Sequence, residues 1–447
     1  MQVDNQTVSD IELFSRNKGV NSLYNYYNRT ITNGGSEKLY NFLRNPVSDY
    51  QFLQERKNEI QFFYTNEIRL ELTKRTIDFI EHYRKIGRFP LRANWIDAIT
   101  DGVQNKIVED GNYYIIREGI FHLLNLLLHL KRFLDGLKDF EVPKSLQNKL
   151  AHCHNFLEQK SLALKLEQLP GDSYKLKWIV LGKLDTLFRL KMKSELQEVM
   201  NTIYMIDVWQ TLAGLLKDKR FSMADYQCGE KPVFEVEECF HPFLDEPVKN
   251  SFNFINESNL CFLTGPNMSG KSTFLKTLGL IIYVSHLGFP VPAKRVKTSI
   301  YKGLFTTINL SDNLNLGFSH FYTEVKRVKD MALELKSQQS IFVIFDELFK
   351  GTNVKDAYDS TLMVVKALSK IKGSTFFISS HILEVAEDIS GTENIDFRCF
   401  ESALVNDKAV YDFKLKEGVS KERVGFQIVK REMIEDILEE IICNQQK

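Results

Sequence analysis

The chain has 447 residues, more than one hydrophobic core usually organises, so two or three domains are expected. Hydrophobic residues make up 43% and charged residues 26%, which is ordinary for a globular protein and leaves ample material for a core. The 58 basic and 58 acidic residues give no net charge, which excludes nucleic-acid binding driven by overall charge but not a local basic face.

Cysteine usage and the start of the chain bear on the cellular compartment. The six cysteines lie far apart without a C-x-x-C pair, so neither a zinc site nor a disulfide framework is expected. The opening MQVDNQTVSDIELF has no secretory-signal pattern. The nearest candidate for a membrane span, Ile120 to Leu130, is interrupted by His122, Asn125 and His129. We therefore expect a cytoplasmic protein without a membrane span.

Residues 1 to about 220 are predicted to be helical. Apolar residues recur at spacings of three and four, as they do from Gly119 to Leu137, and strand-like alternation is almost absent. A helix from Tyr50 to Tyr64 is expected to have Ser48 or Asp49 as its N-cap. A hairpin is credible at one place, where Asp-Gly-Asn at 110–112 precedes Tyr-Tyr-Ile-Ile. No residue of this half is a catalytic candidate.

The composition changes near residues 221–232, and strands and helices alternate beyond that point. We place a domain boundary there, between an amino-terminal helical domain, residues 1–228, and an α/β domain, residues 229–447. Such alternation predicts a mainly parallel sheet wrapped by helices. The predicted elements are strands Asn259 to Thr264, Leu304 to Asn309, Ser340 to Phe345 and Ser374 to Ser379, helices from Lys271, His320 and Asp356, a hairpin of Phe397 to Leu404 with Ala409 to Leu415, and an amphipathic helix from Lys430 to Cys443.

The segment from Leu260 to Gly279, LCFLTGPNMSGKSTFLKTLG, joins a predicted strand to a predicted helix through a glycine-rich loop. Gly265, Gly270, Lys271 and Ser272 fit the spacing G-x-x-x-x-G-K-[ST] of a phosphate loop. In such a loop backbone amides cradle the phosphates, the lysine reaches the β- and γ-phosphates, and the hydroxyl helps to hold Mg²⁺. A fortuitous glycine-rich turn is the alternative. The candidate nucleotide-binding residues are Gly265, Pro266, Asn267, Met268, Ser269, Gly270, Lys271, Ser272 and Thr273.

An acidic pair follows the predicted buried strand Ser340 to Phe345. A phosphate-loop fold needs one carboxylate in the Mg²⁺ shell and one beside the attacking water at this place. Asp346 is the candidate metal residue together with Ser272, and Glu347 is the candidate general base. The alternative is a simple solvated strand end.

Two further features lie near these motifs. His381 follows the predicted strand Ser374 to Ser379, so it emerges at the carboxyl edge of the sheet, where ligands of open α/β folds bind. We interpret it as a γ-phosphate or water sensor, with a packed structural histidine as the alternative. Residues 309–321, NLSDNLNLGFSHF, contain Ser319, which is also a reasonable helix cap. A purely structural role for this segment is therefore equally open.

The motifs TGPNMSGKST, SDNLNLGFSHF with Glu324, FDELFKGTN and SSH closely resemble the ATPase domain of the MutS family of DNA mismatch-repair proteins, members of the ABC ATPase class. Flanking similarities are Phe240-His241-Pro242 with Asn250, the GFPVPA segment at 288–293, and Gly418 with Gly425. Weaker similarities extend upstream to residues 30–56 and 206–212. The resemblance thus covers nearly the whole chain and is tightest from about 240 to 385.

The resemblance implies an α-helical core or lever domain followed by an α/β P-loop ATPase domain of the ABC type, with ATP and Mg²⁺ as cofactors. It also implies a homodimer with two composite sites, in which Ser319 contacts the γ-phosphate bound by the other subunit, in trans. DNA and repair proteins are the implied partners. The residues implied to act in cis are Asn267, Lys271, Ser272, Asp346, Glu347 and His381.

The chain also departs from the family pattern. It starts at the core-like segment, without the family's amino-terminal recognition domain and F-x-E element, so mismatch recognition by that element is not expected. Val248 stands where the family often presents an aromatic ring to adenine, whereas Phe413 falls near another adenine-facing position. The alternative function is an ABC-type ATPase or a nucleotide-gated scaffold with a non-DNA partner. The absent L-S-G-G-Q sequence argues against transport, and the intact Asp346-Glu347 pair argues against a scaffold.

Overall fold

The computed structural model divides the chain into two compact units. The sheet unit consists of Met1–Tyr26, Leu43–Gln54 and Asp218–Lys447, and the helical unit consists of Tyr27–Phe42 and Glu55–Lys217. The division at residues 228 and 229 stays a prediction. The structure describes residues 1–14, 21–87, 89–91, 111–167, 178–229, 231–255, 258–308, 320–338, 340–405, 408–420, 434, 435, 437, 438 and 441.

Helices occur in both units, whereas all the described strands belong to the sheet unit. The helices are α1 (Asn5–Asp10), α2 (Leu23–Tyr27), α3 (Asn33–Arg44), α4 (Tyr50–Thr65), α5 (Lys74–Lys85), α6 (Gly111–Gly136), α7 (Lys144–Leu157), α8 (Lys160–Glu167), α9 (Trp178–Thr186), α10 (Lys193–Leu215), α11 (Lys271–Ser285), α12 (His320–Ser337), α13 (Val354–Leu368) and α14 (Leu383–Ile389). The strands are β1 (Gln2–Val3), β2 (Asp225–Gln227), β3 (Phe234–Cys239), β4 (Asn250–Asn253), β5 (Leu260–Thr264), β6 (Arg295–Ser299), β7 (Gly303–Thr307), β8 (Ile341–Asp346), β9 (Thr375–Ser379), β10 (Ile395–Val405) and β11 (Lys408–Glu417).

A seven-stranded sheet forms the centre of the sheet unit, in the order β1-β7-β8-β9-β5-β10-β11. All neighbouring strands run parallel except β10 and β11, so the predicted mainly parallel sheet and the predicted hairpin are confirmed. Successive side chains of β8 point to opposite faces. Ile344 faces α11, where it lies 3.3 Å from a Cβ built on Gly279, and Phe345 shares a buried cluster with Val365 of α13. Helices therefore cover both faces of the sheet.

The register of the parallel strands places the strand ends that matter for the site side by side. Asp346, the last residue of β8, pairs with Ser379, the last residue of β9. Ser379 also pairs with Leu263 of β5, one residue before that strand ends at Thr264. The glycine-rich loop, the acidic pair and the segment after β9 consequently begin at one edge of the sheet.

A smaller second sheet, with the order β2-β6-β3-β4, was not predicted. Its strands have three to six residues, and β6 pairs with β2 and β3, which lie far from it in the sequence. The expectation of helices alone for the first residues was also wrong, because Gln2 and Val3 pair in parallel with Gly303 and Leu304. A two-residue strand is too short to produce a periodic pattern.

The described part of the helical unit contains helices and no strand, as predicted. The hairpin expected near residues 110–116 was wrong, because residues from Gly111 onward belong to the 26-residue helix α6. The apolar spacing of three and four in the rest of this helix outweighs the local turn signal. The α4 helix has the predicted N-cap: the Phe52 amide donates to Asp49 at 2.8 Å. In the part of the chain that the structure describes, no helix has the length and apolar character needed to cross a membrane.

Candidate phosphate-binding site

The glycine-rich loop connects the buried strand β5 to the amino terminus of α11. Gly265 has a φ of 143° and Gly270 a φ of 104°, conformations that residues with a Cβ rarely adopt. A Cβ on Gly265 would also lie 2.6 Å from the carbonyl oxygen of Phe400. Both glycines are therefore required by the backbone, and they leave the loop amides at the start of the helix, where anions bind.

A cleft of about 450 Å³ lies against this loop. All the loop residues from Asn267 to Thr273 line it, whereas Gly265 and Pro266 do not. Glu347 lines the same cleft, so the structure brings the end of β8 to the predicted phosphate loop. The volume is within the range of cavities that hold small ligands.

Lys271 is buried, with 5% of its surface exposed, and its ammonium group bonds to the beginning of the same loop. Nζ donates to the carbonyl oxygen of Gly265 at 2.7 Å and to that of Pro266 at 3.0 Å. Burial lowers the pKa of Lys271, while the negative charges of Glu347 and Asp346 act to raise it. The ammonium group of Lys271 therefore lies close enough to both carboxylates for their charges to act on it.

The residues of the cleft fit a nucleotide and a magnesium ion. The Ser269 hydroxyl is buried and has no hydrogen-bond partner among the described residues, which leaves it free to contact a phosphate oxygen. Ser272 is exposed at the first turn of α11. Asp346 does not line the cleft itself but a second, small cavity that Glu347 also lines. The Ser272 hydroxyl and the Asp346 carboxylate are hard oxygen ligands, the kind that Mg²⁺ prefers.

The acidic pair is held by a residue that the sequence did not nominate. Ser379 is fully buried, and its hydroxyl donates to Oδ1 of Asp346. The same hydroxyl accepts the backbone N–H of Glu347 at 3.0 Å. Glu347 has a φ of 59°, which is uncommon for a residue with a side chain and is often found at functional sites. The available sequence signals were that Ser379 ends the strand before His381 and that it is the first residue of the SSH motif.

Other predicted site residues lie outside the cleft or outside the described residues. His381 is exposed and is not among the described residues that line the cleft. Ser319 lies outside the described residues. Glu324, at the start of α12, is buried, accepts the Gly351 amide at 3.3 Å and lines a second, small cavity together with Asp346 and Glu347.

Phe413 and Val248 both line the cleft. Phe413 belongs to a bulge: Phe400 pairs with Leu415 and Ser402 with Tyr411, so the single residue between them on β10 faces three on β11. Its ring lies against the loop, 3.3 Å from a Cβ built on Gly270.

Asn250 fixes this bulge in place. Its side-chain amide donates to the carbonyl oxygen of Phe413 at 3.0 Å, and its oxygen accepts the Leu415 amide at 2.8 Å. The backbone of Phe413 is therefore held at the rim of the cleft by a residue of β4. Sequence reasoning had included Asn250 only as a flanking similarity.

Comparison with known proteins identifies the relatives of this chain. The family model for MutS domain V matches residues 261–445. The DNA mismatch repair protein MutS of Petrotoga mobilis is 23% identical over 96% of this chain and 62% of its own length, and that of Fervidobacterium nodosum is 25% identical over 96% and 61%. The MutS protein homolog 4 of Mus musculus is 29% identical over 52% of this chain and 26% of its own length. The chain thus spans less than two thirds of these relatives.

Proposed function

The chain belongs to the MutS family, and we propose that it is an ATPase that uses ATP and Mg²⁺ to control an association with DNA in repair or recombination. One observation carries the proposal: Glu347 and the phosphate loop from Asn267 to Thr273 face the same cleft. A nucleoside triphosphate bound by the loop would have its terminal phosphate near the Glu347 carboxylate, as hydrolysis requires.

Each residue of the site has a proposed role in this reaction. The amides of the loop and the Ser269 hydroxyl bind phosphate oxygens, and Lys271 exchanges its bonds to the loop carbonyls for bonds to the β- and γ-phosphates. Ser272 and Asp346 hold Mg²⁺, which neutralises phosphate charge when it is bound. Glu347 accepts a proton from the attacking water. Phe413 and Val248 are proposed to contact the adenine at the rim of the cleft.

The wider organisation is proposed from the family. We take residues 1–228 as a helical core or lever and residues 229–447 as an ABC-type ATPase domain that forms a homodimer. In that dimer Ser319 contacts the nucleotide of the partner subunit, and His381 senses the γ-phosphate or the water. Because relatives are named as DNA mismatch repair proteins, DNA and repair proteins are the partners to test first.

The Glu347→Gln variant tests the enzymatic part of the proposal. Turnover of ATP is expected to fall about a hundredfold or more, because the general base is lost, while the affinity for ATP is retained. Steady-state phosphate release and binding of a fluorescent ATP analogue measure the two effects. The variant held with ATP is also expected to sediment as a dimer.

A matched control for this experiment is Glu384→Gln, which removes an exposed carboxylate on α14 and should leave turnover within about twofold of the parent chain. Unchanged turnover in Glu347→Gln would remove Glu347 from its role. A parent chain that hydrolyses no ATP would contradict the proposed activity itself.

A further inference from the structure

We propose that Ser379 is a positioning residue that sets both the free oxygen of Asp346 and the backbone of Glu347 for ATP hydrolysis, an inference that rests on the proposed ATPase function. Its hydroxyl has one proton to donate and lone pairs to accept. The hydroxyl donates a hydrogen bond to Oδ1 of Asp346 and accepts one from the backbone N–H of Glu347 at 3.0 Å. One buried side chain thus ties together two residues with different proposed tasks.

The position of Ser379 follows from the sheet. The strands β8 and β9 are parallel neighbours, and Asp346 pairs with Ser379 in register. Both strands end at these residues, so the ladder of backbone hydrogen bonds stops where the chain turns into Glu347. The Ser379 hydroxyl supplies the next bond to that turn, in place of a backbone carbonyl.

The contact to Asp346 has a consequence for metal binding. Because Oδ1 accepts the serine proton, the carboxylate is held in one orientation and Oδ2 is the oxygen left for a cation. A carboxylate restrained in this way loses less conformational freedom on binding Mg²⁺.

The contact to Glu347 has a consequence for the general base. Glu347 has a φ of 59°, a conformation that persists only where the surroundings hold it. The bond from its N–H to Ser379 is such a restraint, and the serine that accepts it is fully buried. Without the hydroxyl, the peptide before the Glu347 side chain is free to reorient.

The test compares Ser379→Ala with Ser379→Thr, which keeps a hydroxyl, and with Ser380→Ala. Ser380 is the matched control because it is the adjacent buried serine, and its hydroxyl accepts the Ile382 amide at 3.1 Å. For Ser379→Ala we expect kcat to fall about ten- to a hundredfold and the Mg²⁺ concentration for half-maximal turnover to rise about fivefold or more, as for outer residues of metal sites. Ser379→Thr should recover most of the loss, and Ser380→Ala should stay within about twofold of the parent chain.

A readout besides turnover uses the affinity for a fluorescent ATP analogue with Mg²⁺ and with EDTA. In Ser379→Ala the gain in affinity from Mg²⁺ should shrink about fivefold or more, while the affinity in EDTA changes less than about twofold. Since both values come from the same protein sample, partial loss of folding does not alter their ratio. This ratio decides the matter even if the threonine variant does not fold.

The outcomes separate this inference from the proposed function. An unchanged Mg²⁺ effect and unchanged kcat in Ser379→Ala would overturn the role of Ser379 while leaving the ATPase intact. An equal loss in Ser380→Ala would also overturn it, since any buried serine would then suffice. If the parent chain binds the analogue but does not hydrolyse ATP, the proposed activity fails and the Mg²⁺-dependent affinity still tests Ser379.

Discussion

At the scale of single residues, His286 shows how burial sets the charge of a side chain in the sheet unit. It is fully buried just after α11, with Nδ1 2.8 Å from the carbonyl oxygen of Ile282 and Nε2 accepting the Tyr301 amide at 2.9 Å. Both contacts are satisfied by the neutral ring with its proton on Nδ1. Burial lowers the pKa of His286 to about 4, assisted by the charge of the chain's amino terminus.

We predict a loss of stability in mild acid from this histidine. A histidine in the unfolded chain has a pKa near 6.5, whereas His286 in the folded protein has a pKa of about 4. Between these two pH values the unfolded state binds one more proton than the folded state, which favours unfolding. The contribution is complete above about pH 6.5 and is lost as the pH falls towards about 4, by about 3 kcal/mol in all. Urea unfolding at about pH 7.5 and about pH 4.5 measures the difference.

The His286→Gln variant should lower stability at neutral pH but reduce the loss between the two pH values, because the titrating group is gone. His82→Gln, at an exposed position on α5, is the control and should keep the acid sensitivity of the parent chain. If His286→Gln is as acid-sensitive as the parent chain, another group is responsible.

A single site residue could be predicted when its role depends on its separation from other residues in the sequence, and not when its role depends on a tertiary contact. The candidate phosphate loop could be nominated because two glycines and a lysine at fixed separations encode the backbone shape itself. Asp346 and Glu347 could be nominated because they follow a buried strand, and their roles stay predictions. Ser379 was missed, since a serine at a strand end is common and its partner is 33 positions away. The exposure of His381 depends on the turn after β9, which its sequence did not define.

At the scale of elements, the amino-terminal segment is attached to the sheet unit by α1 as well as by β1. Asp10, the last residue of α1, has 1% of its surface exposed. Its Oδ2 accepts the Thr306 hydroxyl at 2.7 Å and the Ile308 amide at 3.0 Å, and its Oδ1 accepts the side-chain amide of Gln6 at 2.9 Å. One carboxylate thus binds the end of β7 to the first helix.

We predict that Asp10→Asn destabilises the protein although the side chain keeps its shape. The new amide must keep its oxygen towards the Ile308 N–H, so its N–H₂ group faces Gln6, whose side-chain amide has to rotate to accept it, and the hydrogen bonds to a charged acceptor are lost. The loss should be about 2 kcal/mol, or roughly 4–8 °C in the midpoint of thermal unfolding. Asp245→Asn, at an exposed position of the same unit, should shift the midpoint by less than about 2 °C. A midpoint unchanged by Asp10→Asn would show that the network adds no stability.

Length alone did not decide which strands could be predicted, since β5, β7 and β9 have five residues each and the missed β3 has six. The parallel sheet was predicted because its central strands are buried along their whole length and alternate with helices that span several periods of their pattern. The strand β1 and the second sheet were missed because their pairing depends on tertiary contacts between short segments. The hairpin expected near Tyr113 failed for the opposite reason, since a local turn signal yielded to a long helix.

At the scale of the whole molecule, the proposed link between ATP and DNA is the part that composition supports least. With 58 basic and 58 acidic residues, non-specific binding through overall charge is not expected, so any DNA contact must use a local surface. A local surface that contacts few phosphates gives a shallow dependence of affinity on salt. A strong response to ATP would then be the clearer sign of a functional contact.

We therefore predict that the chain binds DNA at low salt, that binding weakens as salt is raised, and that ATP changes the affinity about fivefold or more. Fluorescence anisotropy with plain, mismatched and branched duplexes, at two salt concentrations and with or without ATP, measures this. Lys271→Ala is the control: without a phosphate-binding lysine its DNA affinity should be the same with and without ATP. An ATP effect that survives in Lys271→Ala would mean that the nucleotide acts outside the cleft. Absence of DNA binding at low salt, in a chain that hydrolyses ATP, would refute the DNA part of the proposal and direct the search to a protein partner.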